Sequence, residues 1–266
     1  SDRVSFLGAQ PLNFNYFIEV SKSKSKSNNN VTESQRLMSF GSNSNMNIKI
    51  KLCGLRDKES ILASSGAHYI GFVFYQKSPR FINALEAKKL RRYINDNQKL
   101  VGLFVDADLN LINHISETLR LDIIQLHGNE DLNYINEIKK LNKPIIKAIP
   151  IKEVSDIKRA REYEKLCDMI LFDTKSDSDV SGGTGISFDW KLLKGYYSQK
   201  EWILAGGLNE ENVAKALKIT KATFIDVSSG VEKSRGEKCQ NKIKSFIEYV
   251  KNLSLIHISE PTRPLY

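Results

Sequence analysis

The sequence predicts an α/β protein built as a single (β/α)8 barrel, and two observations lead to this prediction. Eight short β-rich segments begin near positions 48, 68, 100, 122, 144, 168, 202 and 222, and a charged amphipathic segment follows each of them. Alternating strands and helices favour parallel pairing with right-handed crossovers. Eight such units in about 205 residues suit a small closed barrel. The alternative is a doubly wound open sheet, but the GxGxxG turn typical of that fold does not occur here.

The two ends of the chain depart from this alternation. Residues 21–30 read SKSKSKSNNN, a polar tract that cannot bury enough apolar surface to offset the entropy of ordering it. We expect residues 1–45 to be a disordered or targeting extension, residues 46–252 to form the barrel, and residues 253–266 to be a disordered or non-native tail. The last element of the barrel should be a helix over about residues 237–252.

The compartment depends on the first of these segments. Its Ser and Asn content and its few acids weakly resemble a transit peptide, which would direct the protein to a plastid. A native start at Met46 would instead make it cytoplasmic.

The composition argues against several classes of partner. The net charge of +9 suggests nucleic acid, but the Lys and Arg residues are interspersed with acids, as on solvated helix faces, so we expect no nucleic-acid partner. No apolar run approaches membrane-spanning length, so we expect no membrane partner. Three scattered cysteines predict no disulfide framework. Patterning of this kind is compatible with a monomer or a homodimer.

Cys53 at the end of the first strand is the candidate general base. It is in phase with Lys49 and Lys51 and out of phase with the isoleucines and leucine of the strand. Because active sites of this fold lie where strands end and loops begin, we expect Cys53 at the top of the barrel interior. A nearby ammonium would favour the thiolate, which can take up a proton. The alternative is a small buried hydrophobe.

Asp173 at the end of the sixth strand is the candidate general acid. Four apolar residues precede it, and such neighbours exclude water and raise the pKa of a carboxyl, as proton donation near neutral pH requires. The alternative is an aspartate that caps the following turn.

Glycine-rich turns after the last two strands predict a phosphate site. Gly206 and Gly207 precede Asn209, a candidate N-cap, and the turn Ser228-Ser229-Gly230 follows the eighth strand. In this fold, the loops after strands seven and eight commonly hold a phosphate on backbone N–H groups. Because glycine has no side chain, the phosphate can approach the backbone closely.

Four further positions are candidates for the rim or lining of the site. Arg80 follows the second strand and is placed to fork onto a carboxylate, although it could equally be a surface arginine. His127 ends the fourth strand, and its side chain could either contact the substrate or make a structural hydrogen bond. Gly183 belongs to a glycine-rich loop that could cover the site or act as an inert linker. Asp226 lies in the eighth strand.

We expect neither a metal nor a cofactor. The histidines do not cluster with acids or cysteines at metal-ligand spacing. The chain also has no Walker loop of the kind that binds nucleoside triphosphates and no dinucleotide-binding motif.

Taken together, these segments resemble the phosphoribosylanthranilate isomerase family from about residue 48 to residue 252. The matching stretches, in chain order, are KLCGL, GFVFYQKSPR, QLHG, LFDT, SGGTGISFDW, AGGLNEENV and IDVSSGVE. The resemblance implies an Amadori rearrangement of an N-glycoside of phosphoribose to a 1-amino-1-deoxyribulose phosphate, the third step from chorismate to tryptophan.

The resemblance also assigns roles to particular residues. It implies that Asp173 protonates the ribose ring oxygen and that Cys53 then removes the proton on C2. Arg80 would contact the anthranilate carboxylate, and the two glycine-rich turns would hold the phosphate. The alternatives are another sugar-phosphate isomerase or epimerase on the same barrel, including the bifunctional isomerase shared with histidine synthesis, or a non-catalytic barrel acting as a binding module.

Overall fold

The computed structural model describes residues 47–173 and 190–256, and these residues confirm the closed barrel. Parallel strands follow one another around the barrel in chain order, and β1 pairs with both β2 and β8, so the sheet has no edge. The strands are β1 (Lys49–Cys53), β2 (Tyr69–Val73), β3 (Lys99–Phe104), β4 (Ile123–Leu126), β5 (Ile145–Pro150), β6 (Met169–Asp173), β7 (Trp202–Ala205) and β8 (Phe224–Val227).

Helices follow the strands and pack around the barrel. Within the described ranges they are α1 (Lys58–Ala63), α2 (Ala84–Arg91), α3 (Leu109–Leu119), α4 (Leu132–Lys139), α5 (Val154–Glu164), α6 (Val213–Thr220) and α7 (Gln240–Ile256). The first four begin at side chains that accept a hydrogen bond from an N–H of the first turn: Asp57, Asn83, Asp108 and Asp131. These polar residues near the barrel mouth therefore serve helix starts.

Strand alternation separates two apolar layers. Ile50 and Leu52 of β1 belong to the layer between the strands and the helices, whereas Lys51 and Cys53 point into the barrel. A second cluster fills the interior: Val101, Ile123, Ile146, Ala148, Met169, Leu171, Ile203, Ala205 and Phe224, with Tyr69 against it. Polar residues follow this cluster on the same strand faces, toward the carboxyl ends, and these residues form the candidate site.

The last part of the barrel differs from the prediction. Residues Glu232–Ser234 (β9) and Glu237–Lys238 (β10) form a short antiparallel hairpin, and α7 begins at Gln240 and ends at Ile256. The predicted helix over residues 237–252 was therefore displaced at both ends. The hairpin replaces its first turn because the Lys238 side chain is buried against Glu232 instead of lying on a solvated helix face.

One smaller expectation was also wrong. Asn209 is not the N-cap of α6: its Oδ1 accepts from the N–H groups of Glu211 and Asn212, which forms a turn before the helix, and Asn212 occupies the cap position. The amphipathic segment predicted after β6 lies largely outside the described residues, and the described part before β7 contains a short 3-10 helix, Trp190–Leu193.

The predictions for residues 1–45 and for Gly183 lie outside the described residues, as does the tail beyond Ile256. Within the described ranges, no helix combines the length and the apolar character that a membrane crossing requires.

Candidate active site

Cys53 lies in the upper interior of the barrel above a buried ion pair. Its side chain packs with Val73 and Leu103 and is 4% exposed. On the same face of β1, the Lys51 ammonium lies 3.0 Å from Oδ1 of Asp226 on β8. Register explains this contact, because Lys51 and Asp226 are directly opposite each other in the β1–β8 pair. The sequence placed Asp226 in the lining, and the structure gives it the role of partner to Lys51.

The electrostatic surroundings of Cys53 only partly match the expectation. Burial raises the pKa of the Cys53 thiol, and the opposing effect of the Lys51 and Lys238 ammonium groups does not outweigh it. Burial also acts to lower the pKa of Lys51, but Asp226 and Cys53 outweigh it, so that pKa is raised. The expected ammonium is therefore present and charged, yet the resting thiol is a weaker acid than an ordinary cysteine.

Asp173 contacts His127 across the barrel interior. Nε2 of His127 lies 3.1 Å from Oδ2 of Asp173, and Nδ1 lies 3.1 Å from Nε2 of Gln125. With the Gln125 amide oriented in this way, Nδ1 accepts and the Nε2–H donates to Asp173. The contact sets the orientation of the Asp173 carboxyl, and it gives His127 a partner on the interior face.

The two glycine-rich turns touch each other. A Cβ on Gly230 would lie 1.9 Å from the carbonyl oxygen of Leu208, so the turn after β8 rests directly on the turn after β7. Gly206 and Gly207 have φ angles of +93° and +64°, which glycine adopts without strain. The Ser228 hydroxyl donates to the backbone carbonyl of Cys53 at 3.0 Å, which links the second turn to the end of β1.

Arg80 forks onto a carboxylate supplied by the protein itself. Its Nε and Nη2 donate to the two oxygens of Glu232 at 2.7 and 2.9 Å. Glu232 lies at the start of the hairpin and also accepts from Lys238, whose ammonium in turn donates to the carbonyl oxygen of Ser228. Arg80 is thus joined through the hairpin to the turn after β8.

The structure therefore gathers most of the sequence candidates at one end of the barrel. Cys53, Asp173, His127, Asp226 and the turns after β7 and β8 all lie at or near the carboxyl ends of strands. Sequence reasoning missed Gln125, Glu232 and Lys238. Gln125 could have been found from its inward phase, two residues before His127, whereas the pairing of Glu232 with Lys238 depends on a hairpin that the pattern did not reveal.

Within residues 47–173 and 190–256, no group of three or more His, Cys, Asp or Glu side chains is arranged to hold a metal ion. The absence of a metal from the reaction remains a prediction.

Comparison with known proteins decides the family. The model of the N-(5'-phosphoribosyl)anthranilate (PRA) isomerase family matches residues 50–249, which span nearly the whole barrel. The chain belongs to the PRA isomerase family. The PRA isomerase of Agrobacterium fabrum is 39% identical over 209 residues, covering 77% of this chain and 95% of that protein. The enzyme of Rhizobium johnstonii is 41% identical over 205 residues, covering 75% of this chain and 92% of that protein.

Solved structures agree with this membership. The PRA isomerase of Thermotoga maritima superposes with a TM-score of 0.70 at 36% identity, covering 77% of this chain and 99% of that chain. A PRA isomerase in complex with reduced 1-(o-carboxyphenylamino)-1-deoxyribulose 5-phosphate superposes with a TM-score of 0.68 at 33% identity, covering 77% of this chain and 99% of that chain.

Proposed function

We propose that this chain converts N-(5'-phosphoribosyl)anthranilate to 1-(2-carboxyphenylamino)-1-deoxyribulose 5-phosphate, the third step from chorismate to tryptophan. The observation that carries the proposal is the position of Cys53 and Asp173 in a member of this family. They end β1 and β6, both face the barrel interior, and two strands separate them around the ring. An acid and a base can therefore act on different parts of one sugar.

The reaction divides into two proton transfers. Asp173 protonates the ribose ring oxygen, and the C1–O bond breaks to give an open-chain iminium ion. The Cys53 thiolate then takes the proton from C2, and the electron pair of the C2–H bond neutralises the iminium to form an enolamine. Addition of a proton at C1 and loss of the proton from the C2 hydroxyl then convert the enolamine to the ketone. Because the product contains the same atoms as the substrate, the rearrangement requires no external oxidant or reductant, and we propose that it proceeds without a cofactor.

The proposal assigns each charged end of the substrate to residues of its own. In this proposal, backbone N–H groups of the turns Gly206-Gly207 and Ser228-Ser229-Gly230 bind the phosphate, as the loops after strands seven and eight of this fold commonly do. Arg80 supplies a planar guanidinium suited to the anthranilate carboxylate. Gly183 lies outside the described residues, and its role in covering the site stays a prediction. We expect the enzyme to act as a monomer or a homodimer, since both forms are named for the relative from Thermotoga maritima.

Loss of substrate fluorescence tests the proposed activity directly. We expect freshly prepared phosphoribosylanthranilate to lose its fluorescence when the protein is added, at a rate proportional to protein concentration. The heat-denatured protein is the control. If the folded protein leaves the fluorescence unchanged but binds the reduced product analogue, the chain is a binding module and the catalytic proposal is wrong.

Gly230→Ala should separate the two phosphate-binding turns. Its Cβ would overlap the Leu208 carbonyl oxygen, so one turn must move by more than an ångström. Misplacement on that scale costs up to about 10²-fold in rate, and we expect kcat/KM to fall by about 10–10²-fold, mainly through KM. Steady-state kinetics measure this effect. Gly195→Ala is the control for backbone strain: its methyl group meets open space, but the φ of +75° there strains any side chain, and the position precedes the amino end of β7. We therefore expect it to lower stability without changing kcat/KM. Equal kinetics for the two variants would contradict a phosphate site built on these turns.

A further inference from the structure

A charged unit of three side chains links the hairpin to the site. Oε1 of Glu232 accepts from Arg80 Nε at 2.7 Å and from Lys238 Nζ at 2.8 Å. Oε2 accepts from Arg80 Nη2 at 2.9 Å and from the N–H of Gly236 at 3.1 Å. Glu232 therefore receives four donors, two on each carboxylate oxygen.

This unit is buried, and Glu232 is ionised within it. The side chains of Lys238, Glu232 and Arg80 are 1%, 5% and 15% exposed. Burial acts to raise the pKa of Glu232, but the hydrogen bonds from Arg80 and Lys238 outweigh it and lower the pKa to about 2. Burial lowers the pKa of Lys238, and the contact with Glu232 opposes this effect. With Lys238 protonated, two cations and one anion give the unit a net positive charge, which favours an anionic ligand.

The aliphatic part of the Arg80 side chain is also closely packed. Gly54 follows Cys53 with a φ of +79°, and a Cβ there would lie 2.7 Å from Cδ of Arg80. The Arg80 side chain thus runs directly over the backbone next to the candidate base. At the other end of the unit, Lys238 donates to the carbonyl oxygen and the hydroxyl of Ser228. The unit consequently extends from the turn after β8 to the backbone beside Cys53.

We propose that Glu232 is a positioning residue that orients the Arg80 guanidinium toward the carboxylate of the ligand, so that the β9–β10 hairpin sets the preference for carboxylated N-aryl sugar phosphates. This inference rests on the proposed function, in which Arg80 receives the anthranilate carboxylate. A free arginine loses considerable side-chain entropy when it binds a second carboxylate. The fork with Glu232 has already restricted Arg80, so the ligand carboxylate meets a guanidinium of defined orientation.

Glu232→Gln tests the inference with two ligands. A glutamine side chain replaces one carboxylate oxygen, which accepts two hydrogen bonds, with an NH₂ group, which can only donate. The donors that faced this oxygen, including one N–H of Arg80, must therefore move away. We expect the affinity for reduced 1-(o-carboxyphenylamino)-1-deoxyribulose 5-phosphate to fall by about tenfold or more. The affinity for the phenylamino counterpart without the carboxyl group should change by less than about threefold. Isothermal titration calorimetry measures both affinities.

Three further proteins make the result specific. Glu237→Gln alters an exposed carboxylate of the same hairpin, bonded to Ser234, and should leave both affinities unchanged. In an Arg80→Ala background, Glu232→Gln should have no additional effect on the carboxylated ligand, because it acts through Arg80. Glu232→Asp keeps the buried charge but shortens the fork. It should therefore show the same selective loss even if the glutamine variant folds poorly.

The outcomes separate this inference from the proposed function. Suppose that the wild-type protein is active. If Glu232→Gln then weakened the binding of both ligands equally, or of neither, the positioning role alone would be overturned. A wild-type protein that neither converts phosphoribosylanthranilate nor binds the carboxylated analogue would overturn both proposals.

Discussion

Cys53→Ala should lower kcat by about 10²–10⁴-fold, the usual contribution of a positioned proton acceptor. The thiol is the group at the end of β1 that we propose removes the C2 proton, and a methyl group cannot replace it. Substrate binding should change little, because Ser228 contacts the backbone carbonyl of Cys53 and not its side chain. The rate of substrate fluorescence loss under saturating conditions measures kcat, and calorimetry with the reduced product analogue measures the retained affinity.

The pH dependence of the wild-type protein belongs to the same test. Because burial raises the pKa of the thiol, the protonated form predominates at neutral pH, and the active thiolate grows as the pH rises. We therefore expect kcat/KM to rise above neutral pH in the wild type and this rise to disappear in Cys53→Ala. Cys167→Ala is the matched control, since Cys167 is another buried thiol but packs in the apolar layer between strands and helices. Near-normal kcat in a folded Cys53→Ala protein would remove the assigned role.

Asp173→Asn should lower kcat by a similar factor, about 10²–10⁴-fold. Asparagine is nearly isosteric with aspartic acid, and its Oδ1 can still accept the hydrogen bond from His127. It cannot, however, release a proton to the ring oxygen. The variant should consequently fold and bind the reduced product analogue normally while ring opening becomes very slow, as single-turnover fluorescence would show.

Asp168→Asn provides the control for this substitution. Asp168 immediately precedes β6, at the opposite end from Asp173, and accepts a hydrogen bond from the N–H of Ile145, which an asparagine oxygen can also accept. We expect it to retain the wild-type kcat. If Asp173→Asn turned over as fast as Asp168→Asn, another group would have to be the acid, and His127 would be the first to examine because it lies beside Asp173.

Local patterning was sufficient for most of the fold. The two-residue alternation of β1 placed its apolar side chains toward the helices and Cys53 inside, as the structure has them. The ends of helices and strands that depend on long-range contacts could not be predicted from such local patterns. The segment around Glu237 has helical composition, but the burial of Lys238 against Glu232 draws it into a hairpin.

In the site, too, local sequence predicted the positions of residues but not their contacts. The end of a strand identifies where Asp173 must lie, because barrel strands present their carboxyl ends to one common mouth. It does not identify the neighbours of that residue on other strands. The contact with His127 joins positions 46 residues apart, and the fork from Arg80 to Glu232 joins positions 152 residues apart.

By itself, the sequence determined that eight strand–helix units close into a barrel and that a thiol, a carboxyl and two glycine-rich turns lie at its open end. Those features are local, because periodicity and strand ends are properties of a few consecutive residues. Only the tertiary structure decided that the Cys53 thiol has a raised pKa, that His127 orients Asp173, and that Glu232 holds Arg80. These properties arise from burial and from contacts between distant strands, which no short stretch of sequence encodes.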